Sequence, residues 1–145
     1  MTMKLLLVDD DILICSALSR SLVRMGHASR TATSVKEALS LLEAEAPSAV
    51  LTDLDLGAGG NGIELIKELR QRGYAWPTIL MTGSDLAETR GRLESAGLSD
   101  IPLLGKPFEI DALMKVFGEI VATATRPAAP SFMGSVVRAL SGRVM

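Results

Sequence analysis

Carboxylates, a hydroxyl and an ammonium recur in this chain at one kind of place, directly after a short apolar run. Asp9, Asp10 and Asp11 follow the run at residues 4–8, and Asp53 follows the run at 49–52. Thr82 follows residues 77–81, and Gly105-Lys106-Pro107 follows residues 101–104. In open α/β sheets, ligands bind outside the carboxyl ends of the strands, so if the runs are strands these residues share one crevice. Carboxylates gathered there repel each other and raise one another's pKa values unless a cation sits among them. A few ligands, all oxygen, suit Mg²⁺, which keeps some of its waters and completes its shell with phosphate. Thr82 and Lys106 on the opposite side would offer a hydroxyl and a positive charge to a phosphoryl group. Each residue alone has a plainer reading. Asp11 suits a helix cap, a lone Asp after a strand is a common turn residue, and a lone Thr or Lys carries no information. The signal is their joint placement.

The elements that must position these residues alternate in type. Short runs of apolar or β-branched residues at 4–8, 28–32, 49–52, 77–81 and 101–104 read as strands, the second of them polar enough to lie at an edge. Between them lie stretches with helical spacing. Residues 11–25 carry Ile14, Leu18 and Leu22 at i+4 steps and stop at Gly26. Ser34-Val35-Lys36-Glu37 is a capping box that opens a second helix, ended by Pro47. Ile63, Leu65, Ile66 and Leu69 mark a third, which ends at Gly73. Asp85-Leu86-Ala87-Glu88 opens a poor fourth helix with Gly91 inside it and a thin apolar stripe. Residues 109–121 form the last, with Ile110, Leu113, Phe117 and Ile120 in register. Five strand–helix units with strongly apolar strands imply a doubly wound, five-stranded parallel α/β sheet covered on both faces.

The 145 residues suit one domain, 1–122, with 48% hydrophobic and 22% charged residues. Residues 123–145 read as a linker, proline-stiffened at 125–130, and a short tail. The tail gains a possible amphipathic helix through Phe132, Val136, Val137 and Leu140. A net charge of −2 supplies no basic field for nucleic acid or anionic lipid, and the stretch after 122 is too short for a helix-turn-helix. One cysteine, Cys15, excludes an internal disulfide and suits packing. One histidine, His27, excludes His-rich metal sites; it sits past a helix end, where an imidazolium favours the dipole. No apolar run reaches the length of a membrane span, and the acidic cluster comes too early for a signal peptide, so a cytoplasmic location is expected. Met1 argues mildly for a stand-alone protein over a fragment of a longer regulator or hybrid kinase.

Leu-Leu-Leu-Val-Asp9-Asp10-Asp11, Val-Leu-Thr-Asp53-Leu-Asp55-Leu, Leu-Met-Thr82-Gly83 and Lys106-Pro107-Phe108 together resemble the receiver domain of two-component response regulators. The resemblance runs from residue 4 to about 122. It implies a flavodoxin-like, CheY-like (βα)5 fold with strand order 2-1-3-4-5. It makes Asp53 the phosphoacceptor, and it makes Asp9, Asp10, Asp53 and the backbone carbonyl of Asp55 the ligands of Mg²⁺, with Asp10 more direct than Asp9. Thr82 becomes the switch hydroxyl and Lys106 the partner of the phosphoryl oxygens, with a cis Lys106–Pro107 bond. Implied partners are a sensor histidine kinase or histidine phosphotransfer protein, and a downstream protein target or a second copy. The protein would then be no enzyme beyond its own phosphorylation and slow dephosphorylation.

Three departures stand out. Gly57 replaces the proline usual four positions after the phosphoacceptor. The glycine-rich loop up to Gly62 is one residue longer than usual and expected to be more mobile. Leu103 replaces the aromatic switch residue, so output is expected to run through the fourth helix, fifth strand and fifth helix, with the weak fourth helix shifting most cheaply. Two rivals remain. A haloacid-dehalogenase-type phosphatase would use Asp53 as nucleophile and Asp55 as acid/base, but that family places its other acidic ligands after the lysine. An unphosphorylated receiver-like scaffold is disfavoured because every chemical residue is present.

Overall fold

In the computed structural model, which describes residues 2–124 (side chains through 120), the strands are β1 (Lys4–Val8), β2 (Ala28–Ala32), β3 (Ala49–Asp53), β4 (Thr78–Thr82) and β5 (Leu103–Gly105). The helices are α1 (Ile12–Arg24), α2 (Val35–Ala44), α3 (Gly62–Gln71), α4 (Leu86–Ser95) and α5 (Ile110–Ala124), with a 3-10 turn at Gly57–Gly59. All strand pairings are parallel and the order is β2-β1-β3-β4-β5. The proline-stiffened linker and the helix expected through Phe132 and Leu140 lie outside the described residues. No helix among the described residues is long and apolar enough to cross a membrane.

Both sheet faces are buried, and side chains alternate between them residue by residue. Leu5, Leu7, Ala49, Leu51, Ile79 and Met81 point one way, with Leu22 of α1 and Leu113 and Phe117 of α5. Leu6, Val8 and Val50 point the other way, with Ala38 and Leu42 of α2 and Leu65 and Leu69 of α3. Leu80 meets Ile66 and, from α4, Leu93. The short connections leaving β1 and β3 therefore diverge to opposite faces, and a crevice opens where these neighbouring strands end. Register levels that edge: Val8 pairs with Thr52, Asp53 with Met81, and Thr82 with Gly105.

Prolines trim the last two strands. Residues 77–81 and 101–104 read as strands from their apolar runs, but pairing starts at Thr78 and Leu103. Pro77 and Pro102 have no N–H for the ladder and supply only carbonyls, to Val50 and Leu80. Ile101 packs instead beside Leu93 and Leu98. The capping box of α2 also differs. The Ser34 hydroxyl accepts from the Glu37 amide at 3.1 Å, but the Glu37 carboxylate accepts from Thr33 N–H at 2.7 Å, one residue before the cap. Past α1, His27 Nδ1 accepts the Met3 amide at 3.0 Å. His27 thus ties two chain segments together. Trp76 packs on the α2–α3 side, stacked on Tyr74 with ring centroids 4.3 Å apart.

Candidate functional site

The carboxyl edge of the sheet brings Asp9, Asp10 and Asp53 together, with one oxygen from each within 4.8 Å of the others. Asp9 follows β1 and is only 1% exposed. Its Oδ1 accepts the Asp11 amide at 2.9 Å, and its Oδ2 accepts Lys106 Nζ at 3.0 Å. Asp11 turns away and caps α1, accepting from the Leu13 and Ile14 amides. Asp10, between them, faces solvent. Asp53 closes β3 at 7% exposure, and Lys106 Nζ stands 3.5 Å from its Oδ2. Lys106 is itself positioned by the sheet: its N–H bonds the Thr82 carbonyl at 2.7 Å, and a cis peptide to Pro107 follows.

These charges act on one another at short range. Burial, and then the negative field of Asp9, push the Asp53 carboxyl up to about 6, although the Lys106 ammonium pulls the other way. Burial alone would lower the Lys106 pKa. Its hydrogen bond to Asp9 and the fields of Asp53 and Asp9 outweigh that effect and hold it above the ordinary value. One ammonium facing three carboxylates leaves negative charge uncompensated, and the donors are all oxygen. That donor chemistry fits a small divalent cation such as Mg²⁺. Nearby, Cys15 is buried against the Asp9 carbonyl, and burial together with Asp9 and Asp11 pushes its thiol up to about 11. It packs, as its place on α1 suggested, and is no nucleophile at neutral pH.

Asp55 stands apart from the trio. Its Oδ1 accepts the Gly57 amide at 2.9 Å, and its segment forms an antiparallel bridge with Asn61. The bridge bonds run from Gly62 N–H to the Leu54 carbonyl and from Leu56 N–H to the Gly60 carbonyl. Neither uses the Asp55 carbonyl. The Asp55 carboxylate is thus engaged by its own loop. The loop expected to be mobile is closely packed: a Cβ on Gly59 would fall 2.8 Å from Ser34 Cβ, and one on Gly62 would collide with the Asp53 carbonyl. Thr82 closes β4 at 1% exposure, and its Oγ1 accepts the Ser84 amide at 3.0 Å.

Two features had no sequence signal. The tightest contact of Lys106 is to Asp9, across 97 positions, where position after a strand said only that both share an edge. The turn before β5 is gripped by Arg70 of α3, whose guanidinium holds the Asp100 carboxylate through two nitrogens, and by Arg90 of α4, whose Nη1 bonds the Ile101 carbonyl at 2.9 Å.

Comparison with known proteins bears on this geometry. The family model described as "Response regulator receiver domain" matches residues 5–117. The chain is 32% identical over 114 residues to response regulator MprA of Mycolicibacterium vanbaalenii, covering 79% of this chain and 48% of MprA. It is 36% identical over 123 residues to response regulator protein PilR of Pseudomonas aeruginosa, covering 85% of this chain and 26% of PilR. The chain thus spans about half the length of the first relative and a quarter of the second. Among solved structures, the receiver domain of the Francisella response regulator 1452 superposes with a TM-score of 0.74 at 26% identity, covering 85% of this chain and 99% of that one.

Proposed function

This chain belongs to the response regulator receiver domain family, and from that premise we propose that it takes a phosphoryl group from a sensor histidine kinase or a histidine phosphotransfer protein onto Asp53. The observation that carries the reading is the Lys106 ammonium, held 3.0 Å from Asp9 and 3.5 Å from Asp53 beside three clustered carboxylates. Asp9 and Asp53 are both buried and both face that cation; Asp53, at the end of β3, is the one that matches the family's phosphoacceptor position.

In the reaction an Asp53 oxygen attacks phosphorus, the P–N bond of phosphohistidine breaks, and the electron pair leaves with the imidazole nitrogen. Asp53 must be ionised to attack; burial and Asp9 push its carboxyl up to about 6, which leaves the ionised form predominant at pH 7. Lys106 neutralises charge on the transferred oxygens, so the protein's contribution is positioning and electrostatics. Mg²⁺, held by Asp9, Asp10, Asp53 and the Asp55 backbone carbonyl, would add charge neutralisation at the same oxygens. Asp10 is the more direct carboxylate beside Asp53, because both Asp9 oxygens already accept hydrogen bonds. The Thr82 hydroxyl then turns to the phosphoryl group. The chain turns over no external substrate and acts in the cytoplasm. Ile12 and Leu13, exposed at 69% and 79% just after the site, offer the phosphodonor protein an apolar footing. Output passes to a downstream protein, or to a second copy, through α4, β5 and α5.

Beryllofluoride, a mimic of the acyl phosphate, tests this. It should bind in a Mg²⁺-dependent way, acetyl phosphate should label the chain once, and Asp53→Ala should lose both. Multiple turnovers of p-nitrophenyl phosphate per minute would favour the phosphatase, and labelling that persists in Asp53→Ala would place the acceptor elsewhere. Hydrogen exchange with beryllofluoride should change over residues 85–96. Changes confined to residues 57–62 would move the output to the glycine loop.

A further inference from the structure

Gly57 holds a left-handed backbone, φ +58°, in the loop after the phosphoacceptor strand. Its N–H is fixed by Asp55 Oδ1 at 2.9 Å. A Cβ at this position would stand 3.0 Å from Asp10 Oδ2, with no other atom than that carboxylate's within 4 Å. The rest of the glycine loop faces elsewhere: a Cβ on Gly60, which is also left-handed at φ +102°, would press on Val35 Cγ2. Among the three clustered carboxylates, Asp9 and Asp53 are buried and engaged by Lys106, whereas Asp10 is exposed. Among the loop's glycines, Gly57 is the one whose added Cβ would meet that carboxylate.

We infer that Gly57 is a positioning residue for the metal site: lacking a side chain at a left-handed position, it lets the Asp10 carboxylate stand against the loop and so tunes the cluster to Mg²⁺ over larger cations. This rests on the metal reading above and adds a residue that the ligand set does not include. The magnitude follows from sizes. A Cβ–oxygen contact of 3.0 Å must open by a few tenths of an ångström, and Mg²⁺ and Ca²⁺ differ in ligand distance by about 0.4 Å. Mg²⁺ demands near-ideal octahedral geometry, whereas Ca²⁺ accepts six to eight ligands at variable distance. A displaced Asp10 therefore penalises Mg²⁺ most. Proline, usual at this position in the family, has φ near −65° and could not adopt the backbone seen here.

Isothermal titration of the full chain with Mg²⁺ alone and with Ca²⁺ alone tests the inference. Gly57→Ala should weaken Mg²⁺ binding about tenfold, within the range for groups that orient metal ligands, and weaken Ca²⁺ much less. Gly57→Asn, which tolerates the left-handed backbone but also carries a Cβ, should do the same while keeping the fold, as read by a thermal melt in EDTA. Gly60→Ala adds strain to the same loop without touching Asp10 and should leave the ratio of Mg²⁺ to Ca²⁺ affinity unchanged. Wild-type Mg²⁺ affinity in both Gly57 variants, or an equal change of ratio in Gly60→Ala, overturns the role of Gly57 and leaves the metal site standing. A wild-type chain that binds neither cation overturns the metal site and this inference with it.

Discussion

Replacing Asp53 by Asn should stabilise the metal-free protein, and by an amount that grows with pH. The Asp53 carboxyl rises from its ordinary 3.8 to about 6 in the fold, because it is buried at 7% exposure and lies in the field of Asp9. Between those values the folded protein holds a proton that the unfolded chain releases. The contribution of this group is therefore fully present below pH 3.8 and is lost as pH rises through 6. A shift of about two units corresponds to about 3 kcal/mol, of which about 2 kcal/mol falls between pH 4.5 and 7.5. Asn fills the same space without titrating. Urea unfolding of both proteins in EDTA should show the stability advantage of Asp53→Asn widening by about 2 kcal/mol over that range, or roughly 4–8 °C in Tm. Comparing the two proteins cancels the other carboxylates, which titrate in both. Saturating Mg²⁺ should flatten the difference, since a cation among the oxygens removes the penalty on ionised Asp53. A gap that stays constant with pH in EDTA would refute the electrostatic account of the site.

Other perturbations separate the parts of the molecule. Asp10→Asn should abolish Mg²⁺-dependent labelling by acetyl phosphate while circular dichroism remains that of the wild type, because Asp10 is exposed and supports no packing. Replacing Ile12 and Leu13 together by Ala should slow transfer from a phosphorylated kinase and leave acetyl phosphate labelling unchanged; equal slowing of both would tie these residues to the chemistry. Phe117→Ala, at a fully buried position between α5 and the sheet, should cost about 3–5 kcal/mol in urea unfolding without shifting the pH dependence of Asp53.

How far these features could be read beforehand depends on the range of the interaction involved. The bounds of β1 and β2 follow from local composition, and the cap of α1 at Asp11 from a carboxylate set before a helical stripe. The trio Asp9, Asp10 and Asp53 was legible for a topological reason: a residue just after a parallel strand has one edge to occupy. Beyond that, short-range pattern fails. Residue 101 is as apolar as residue 103, and only the missing N–H of Pro102 decides which enters the sheet. His27 follows a helix end as a dipole partner would, yet the Met3 amide, 24 positions away, takes its Nδ1. Asp55 has the spacing of a second catalytic acid, but the Gly57 amide two residues on captures its carboxylate. Each of these outcomes turns on one hydrogen bond whose partner composition does not name.

The same attention to single bonds bears on how a chain with Leu103 in the aromatic position transmits a signal. Helix α4 buries only Thr89 and Leu93, so the anchors at its two ends decide which end moves. After its carboxyl end, the Leu98 amide returns to the Leu93 carbonyl at 2.8 Å, Arg90 bonds the Ile101 carbonyl, and Arg70 holds Asp100. Toward its amino end Asp85 caps the helix, accepting from the Glu88 amide and Thr89 Oγ1, and contact with the sheet runs through Ser84 and Leu86. Ser84 N–H rests on Thr82 Oγ1, and Leu86, half exposed, lies against Gly105. On the proposed reading, a Thr82 hydroxyl that swings to a phosphoryl oxygen on Asp53 releases the Ser84 amide, and the freed segment is the one holding Leu86 on β5. Half-burial of a leucine contributes roughly 1 kcal/mol, or about a fivefold bias between two positions of the loop. A single charge-assisted hydrogen bond to the phosphoryl group can overcome a bias of that size. An aliphatic contact of this kind can therefore carry the two-state coupling otherwise assigned to a rotating ring, with the movement starting at the amino end of α4, where Ser84 and Leu86 meet the sheet.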